Sequence, residues 1–283
     1  MRYSEQQSFN TCPFQYKLAY LDRIQKETTG EESNDRDFGA AIHAGLEAHY
    51  KGGSLEDMKK AFSDSFPVNL SSTDNTKTIE NGLACLEKYV GYYKEQDKNW
   101  KVLGTEVLGV IEFGGEKHDL HIDLVAENLQ GGGIYLWDHK TTGKTPSPTY
   151  WKSFEVSGQI TRYASFVQQK FGQCSGALIN NITFKSLLRK NKYGEGPGLV
   201  LGFERQIFQR TKSQIAFWEQ SDIEWMKLMK IGIYPKALNR MCTYCEFFEL
   251  CMSCDDEQIR QLLYKRRIET QERSDNREKE GGV

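Results

Sequence analysis

The chain has 283 residues, 38% hydrophobic and 27% charged, and its 37 Lys plus Arg against 39 Asp plus Glu leave a net charge of −2. A mean hydropathy of −0.64, with no apolar run near the ~20 residues of a membrane-crossing helix, argues against a membrane protein or a collagen. It also argues against a chain that grips polyanions through bulk positive charge. The length suffices for one large domain with a real core.

The opening residues MRYSEQQSFNTC lack an apolar stretch of signal-peptide length, so the reducing cytoplasm is the expected compartment.

Taken in order, the pattern predicts helices over 8–20, 38–50, 55–66 and 76–96, where apolar residues recur every three or four positions. Near Lys101 the period becomes two. Strands are predicted over 102–113, 117–126 and 134–141, the last two joined by the turn-rich 128–133. A helix over 154–171, strands over 176–185 and 199–208, and an amphipathic helix over 211–231 follow. The predicted class is α/β (α+β), a mixed central sheet flanked by helices. Residues 1–271 read as one body, with a helical part (1–97), a core (98–210) and a helix with a cysteine segment (211–254). The charged stretch 272–283 reads as disordered.

Two neighbouring strands carry the candidate chemistry. In 119–125, side chains alternate so that Leu120, Ile122 and Leu124 face one way and Asp119, His121 and Asp123 the other. On the next strand Asp138 and Lys140 are two apart and share a face. Two carboxylates and an ammonium so placed suit a hard divalent cation, which phosphodiester hydrolysis uses to neutralise phosphoryl charge and activate water. Glu106, one strand earlier, is either an outer carboxylate or a solvated strand position. His49 and His118 read as surface residues. The stretch 138–145 ends like a phosphate-binding loop, but Asp138 stands where the first glycine would be, so nucleotide binding is not expected.

Of seven cysteines, four fall within thirteen residues: Cys242, Cys245, Cys251 and Cys254. Their spacing could hold Zn²⁺. In a reducing compartment such a cluster reads as metal-binding rather than as disulfides.

The string Asp123, hairpin, Asp138-His139-Lys140 resembles the core of the PD-(D/E)XK nuclease superfamily, and most closely its RecB-like branch, which includes AddB-type and CRISPR-associated iron–sulfur exonucleases. Gly39-Ala40-Ala41-Ile42-His43 with Leu46-Glu47 resembles that branch's helical histidine motif, and Gln159 with Tyr163 its Gln-x-x-x-Tyr motif. The resemblance runs from Ser8 to Cys251. Ile122 stands where the superfamily's name has proline, and Asp138 where many relatives have Glu.

The resemblance implies a restriction-endonuclease-like fold. It implies Mg²⁺ or Mn²⁺ held by His43, Asp123, Asp138 and the backbone carbonyl of His139, with Lys140 catalytic and Gln159 and Tyr163 beside it. It further implies a four-iron four-sulfur cluster on Cys12, Cys242, Cys245 and Cys251. Cys12 lies in a Cys-Pro-x-x-Tyr setting, and Zn²⁺ on Cys242, Cys245, Cys251 and Cys254 is the alternative.

The implied substrate is DNA, cut by an exonuclease preferring single-stranded ends. Arg189 and Lys190 are candidate phosphate contacts, and Tyr150 and Trp151 candidate stacking partners for bases. A strand-annealing recombination protein is a possible partner. A CRISPR adaptation factor that trims DNA and a non-catalytic iron–sulfur DNA-binding subunit are the alternative functions.

Overall fold

The computed structural model describes residues 3–27, 35–66, 76–194 and 198–267. The stretch expected to be disordered, 272–283, lies outside them. The elements in chain order are α1 (Tyr3–Thr11), α2 (Pro13–Tyr16), a π-helical turn (Lys17–Leu21), β1 (Ile24–Lys26), α3 (Asp35–Tyr50), α4 (Leu55–Ser65) and α5 (Ile79–Asp97). Next come β2 (Trp100–Phe113), β3 (Glu116–Asn128), β4 (Ile134–Thr142), α6 (Pro148–Glu155), α7 (Gly158–Phe171), β5 (Gly176–Leu187), β6 (Gly198–Gln209) and α8 (Lys212–Ile231). The chain ends in a 3₁₀ turn (Arg240–Tyr244), α9 (Phe248–Met252), α10 (Glu257–Leu263) and β7 (Tyr264–Arg266).

The predicted helix over 8–20 is broken at Cys12, and the one over 154–171 starts at Gly158 behind a helix that was not predicted, α6; both differences have local causes. Cys12 is extended (φ −158°) and Pro13 opens α2; proline has no N–H to give to the preceding turn and is at home in the first turn of a helix. Further on, Ser147 caps α6 and Ser157 restarts the chain as α7, its hydroxyl accepting the N–H of Ile160 at 3.3 Å. Gly172 ends α7 at φ +80°, a left-handed conformation that glycine adopts without steric cost. The other helices start where capping chemistry places them. Ser54 and Asp57 exchange side-chain and backbone bonds in a capping box at α4, and Thr78 caps α5.

The chain divides into two compact units, Glu31–Ile223, and Arg2–Gly30 with Glu224–Val283. The first holds a five-stranded sheet of order β2-β3-β4-β5-β6. Every pairing is antiparallel except β4 with β5, which are parallel and linked through α6 and α7. A parallel pair needs such a crossover because the chain must return to the same end of the sheet. One face carries Ile122, Val125, Leu136, Ala177 and Ile179 beneath Ile160, Tyr163, Ala164 and Val167 of α7. On the other, Phe38, Ile42 and Leu46 of α3, Met58 and Phe62 of α4 and Leu86, Tyr89 and Tyr93 of α5 pack on Ile182 and Phe184. Gly39 lets α3 approach closely: a Cβ there would lie 3.2 Å from Thr141 Oγ1.

The second unit is small. Leu18, Ala19, Ile24, Phe247, Leu250 and Tyr264 form its core, and β1 pairs with β7 antiparallel from Ile24↔Arg266 to Lys26↔Tyr264. No helix among the described residues is long and apolar enough to cross a membrane.

Candidate active site

The site forms where two strands stop pairing. β3 and β4 are paired only over Leu124–Glu127 and Ile134–Trp137. One step further along, the Asp123 carboxylate takes over, its Oδ2 accepting the backbone N–H of His139 at 2.7 Å. The facing of β3 changes at the same point. Ile122 and Val125 both enter the core under α7, whereas Leu124 packs with Trp137 and Leu178. The regular alternation predicted over 119–125 therefore breaks at Asp123, because the strand bends as it leaves its neighbour. The bend carries Asp123 to α3, where its Oδ2 lies 3.5 Å from His43 Nδ1.

Across β2, Thr105 pairs with Leu124 and Val107 with Ile122, but Glu106 is skipped, with φ +46°. A non-glycine residue in the left-handed region costs about 1–3 kcal/mol, and such residues gather at functional sites. Here one donor atom each from His43, Glu106 and Asp123 lie within 4.8 Å of one another. His121 Nε2 pairs with Glu106 Oε2 from the exposed side. Glu106 is thus a member of the cluster rather than a solvated strand position. Sequence offered one sign of it, an acidic residue in the middle of a β-patterned run facing the Asp123 strand.

Asp138 and Lys140 share a face of β4, Asp138 buried at 6% exposure. Lys140 Nζ donates to Asp138 Oδ1 at 2.9 Å and lies 2.7 Å from Oδ2, which has no aligned hydrogen bond. Asp138 is not in the 4.8 Å set, and its partner is this ammonium. Gln159 Nε2 donates to the Tyr163 hydroxyl at 3.0 Å on α7, and Tyr163 feels the charges of Asp138, Asp123 and Lys140.

Burial and charge set the ionisation states. Burial pushes Asp123 up, but the hydrogen bond and charge of His43, with His139 adding to them, hold it well below the usual carboxylate range. Burial disfavours the charged form of His43, yet the Asp123 carboxylate outweighs it and raises the imidazole above its ordinary value. Asp138 is raised by burial, with Lys140 pulling the other way. Burial would lower Lys140, but Asp138 wins and keeps it protonated. His139 is pushed down to about 3 by burial and is neutral. The converging carboxylates of Glu106 and Asp123, with the His43 imidazole, which gives its lone pair to a cation once its proton is lost, form a donor set that fits a hard divalent cation.

The candidate DNA contacts divide. Arg189 and Lys190 are exposed in the turn after β5. That strand runs parallel to β4, with Asn181 level with Lys140, so the turn lies beyond the end of β4. Tyr150 is half-buried and donates through its hydroxyl to Asn181 Oδ1 at 2.8 Å. Trp151 is a correction: its indole is a core residue, stacked on Phe208 at 6.3 Å, because the amphipathic face of α6 turns it inward. His118 is a second correction. It shares the inward face of β3 with Leu120 and Ile122, is fully buried, and stacks on Phe113 at 4.1 Å. His49 lies 3.7 Å from Asp97.

In the second unit, Cys12, Cys242, Cys245 and Cys251 line one cavity together with Phe14 and Met241. Cys254 is exposed and is not among its walls. Backbone N–H of Asn239 donates to Cys242 Sγ at 3.3 Å.

A mixed five-stranded sheet flanked by helices is consistent with a restriction-endonuclease-like fold. The model of the PD-(D/E)XK nuclease superfamily matches residues 3–252, and the chain belongs to that superfamily. Its members use divalent metal ions. Among solved structures, a candidate exonuclease from Eubacterium rectale aligns over 86% of this chain and 87% of its own, at 13% identity and a TM-score of 0.46. The protein SSO0001 aligns over 79% of this chain and 89% of its own, at 14% identity and a TM-score of 0.31. A search of the curated proteins gave no match.

Proposed function

We propose that this nuclease is a metal-dependent DNA exonuclease of the RecB-like branch that works from single-stranded ends. The observation that carries the reading is the convergence of His43, Glu106 and Asp123 at the opening between β3 and β4, beside the Asp138–Lys140 pair. Mg²⁺ or Mn²⁺ would be held by His43, Asp123 and Glu106, with Asp138 and the His139 carbonyl completing the set. When bound, the cation supplies Lewis acidity toward the phosphate and acidifies a water.

The chain's own groups supply the rest. Lys140, kept protonated by Asp138, stabilises charge on the phosphoryl group. The hydrogen-bonded pair Gln159 and Tyr163 presents polar groups to the same space. Arg189 and Lys190 offer phosphate contacts beyond the end of β4, where a strand leaving the site would pass.

The cavity ringed by Cys12, Cys242, Cys245 and Cys251 supports a structural four-iron four-sulfur cluster, and the exposure of Cys254 speaks against zinc on the four clustered cysteines. Closing a loop of about 230 residues between Cys12 and Cys242 would restrict the unfolded chain and so favour the fold. The test is a time course on end-labelled single- and double-stranded DNA with Mn²⁺ and with chelator. Metal-dependent shortening from single-stranded ends is expected; internal cutting without loss of ends would overturn the exonuclease reading.

A further inference from the structure

Strand β5 reads Gly-Ala-Leu-Ile-Asn180-Asn181-Ile-Thr-Phe, an apolar strand interrupted by two asparagines that are both fully buried. Buried amides persist where their hydrogen bonds are made. Asn181 faces the Lys140 side and is bonded to Tyr150, Thr142 and Thr183. Asn180 faces the other side, where it belongs to a row crossing three strands at one level: His139 on β4, Asn180 on β5 and Arg205 on β6.

The row has a fixed donor order. Arg205 has only donors to give. Its Nε donates to Asn180 Oδ1 at 3.3 Å, NH1 to Asp97, and NH2 to the hydroxyls of Tyr50 and Tyr89 at 2.8 Å each. The guanidinium also lies 3.4 Å from the Tyr93 ring centroid. Because Arg205 claims the amide oxygen, the Asn180 NH₂ must face the other way, donating to Tyr89 at 2.9 Å and meeting His139 Nδ1 at 2.8 Å. His139 Nδ1 is then an acceptor, and the ring is further held by Tyr50, stacked on it at 5.8 Å and 10°. The peptide N–H of this same His139 grips Asp123.

We propose that Arg205, acting through Asn180, is a positioning residue of the active site: it anchors the His139 ring from the far face of the sheet and so fixes the peptide that orients the Asp123 carboxylate. The proposal rests on the reading of the metal site given above. Neither residue touches the site; Asn180 reaches it through His139, and Arg205 through Asn180 and through Tyr50, which stacks on the same ring. Loss of a supporting bond behind a metal ligand typically weakens metal affinity about 10–100-fold.

Two substitutions test it. Arg205→Lys keeps a positive charge beside Asp97, but one ammonium cannot serve Asp97, Asn180 and two hydroxyls together. Asn180→Leu keeps the volume and removes the bond to His139. Mn²⁺ binding is read without DNA, from the electron paramagnetic resonance signal of the free ion, alongside thermal melting. The Mn²⁺ requirement for DNA cleavage is measured in parallel. Expected is Mn²⁺ affinity weaker by about 10–100-fold in the folded variants, with the cleavage requirement rising by the same factor and rates recovering at high Mn²⁺. Mn²⁺ affinity within about twofold of the wild type in Asn180→Leu, at a lowered melting temperature, would show a merely structural role and overturn the proposal. That variant decides if Arg205→Lys does not fold. A wild-type protein that neither binds Mn²⁺ nor cuts DNA would instead overturn the site reading, and the proposal with it.

Discussion

Asp123 and His139 are joined by a hydrogen bond that replaces strand pairing: the N–H that would continue the β3–β4 ladder is accepted, at 2.7 Å, by a carboxylate oxygen. The sheet therefore opens at the residue that its chemistry needs. Asp123→Asn keeps an amide oxygen for His139 N–H, so it should fold and melt close to the wild type. It loses the negative charge that holds His43 and a cation, and cleavage should fall by more than about a hundredfold. Parallel melting curves and Mn²⁺-dependent digestion check both halves of that expectation.

The ion pair of Arg162 with Asp222 is nearly sealed, at 0% and 4% side-chain exposure and 3.1 Å. Arg162 also lies over the rings of Phe113 and Trp218 at 5.6 and 5.7 Å. Removing one partner of a buried pair takes away part of the compensation of the other's charge, so Asp222→Ala should lower stability by more than the paired replacement Arg162→Met with Asp222→Leu does. Urea unfolding of the two variants, read as a shift of midpoint at unchanged slope, measures the difference.

His118 gives the fold a pH dependence. Burial, with Arg162 adding to it, lowers its imidazole from 6.5 to about 4. A folded-state value below the unfolded one means that the unfolded chain takes up the proton first. The stability from this group is complete above about 6.5 and is lost as pH falls from there toward about 4. His118→Phe, which keeps the stack on Phe113, should flatten that part of the stability–pH curve. Melting temperatures at several pH values between 4 and 7 would show it; an unchanged slope would count against the assignment.

Cys12 and Cys254 should behave oppositely. Cys12 lines the cavity with Cys242, Cys245 and Cys251, whereas Cys254 faces solvent. Cys12→Ala is expected to lose the visible absorption of an iron–sulfur cluster and part of the melting temperature, and Cys254→Ala neither. Zinc found in the colourless wild-type protein would contradict this.

Much of the fold was legible because periodicity reports burial: the strands of the five-stranded sheet and the long helices sit within a few residues of their predicted spans, whereas the short β1 and β7 were not predicted. The break at Cys12 and the separate helix α6 were not legible, since short capped helices leave little periodicity to read. Asp123, Asp138, Lys140 and His43 could be picked out by residue type and motif order. Glu106 could not be decided, because its membership depends on a left-handed backbone that no pattern of residue types announces. The Arg205–Asn180–His139 row stayed hidden for a related reason: it joins positions 139, 180 and 205 through strand register, and only the paired asparagines in an apolar strand hint at it. Trp151 and His118 were misplaced because an aromatic or a histidine near a charged stretch looks exposed until the facing of its element is known.

The most direct test of the account is digestion of end-labelled single-stranded DNA with Mn²⁺ by the wild type and by Lys140→Ala. In the variant, Asp138 loses its ion-pair partner, while His43, Glu106 and Asp123 are untouched. The account predicts progressive shortening by the wild type, abolished by chelator, and none by the variant at equal DNA binding. Equal digestion by both, or none by the wild type with either metal, would contradict it.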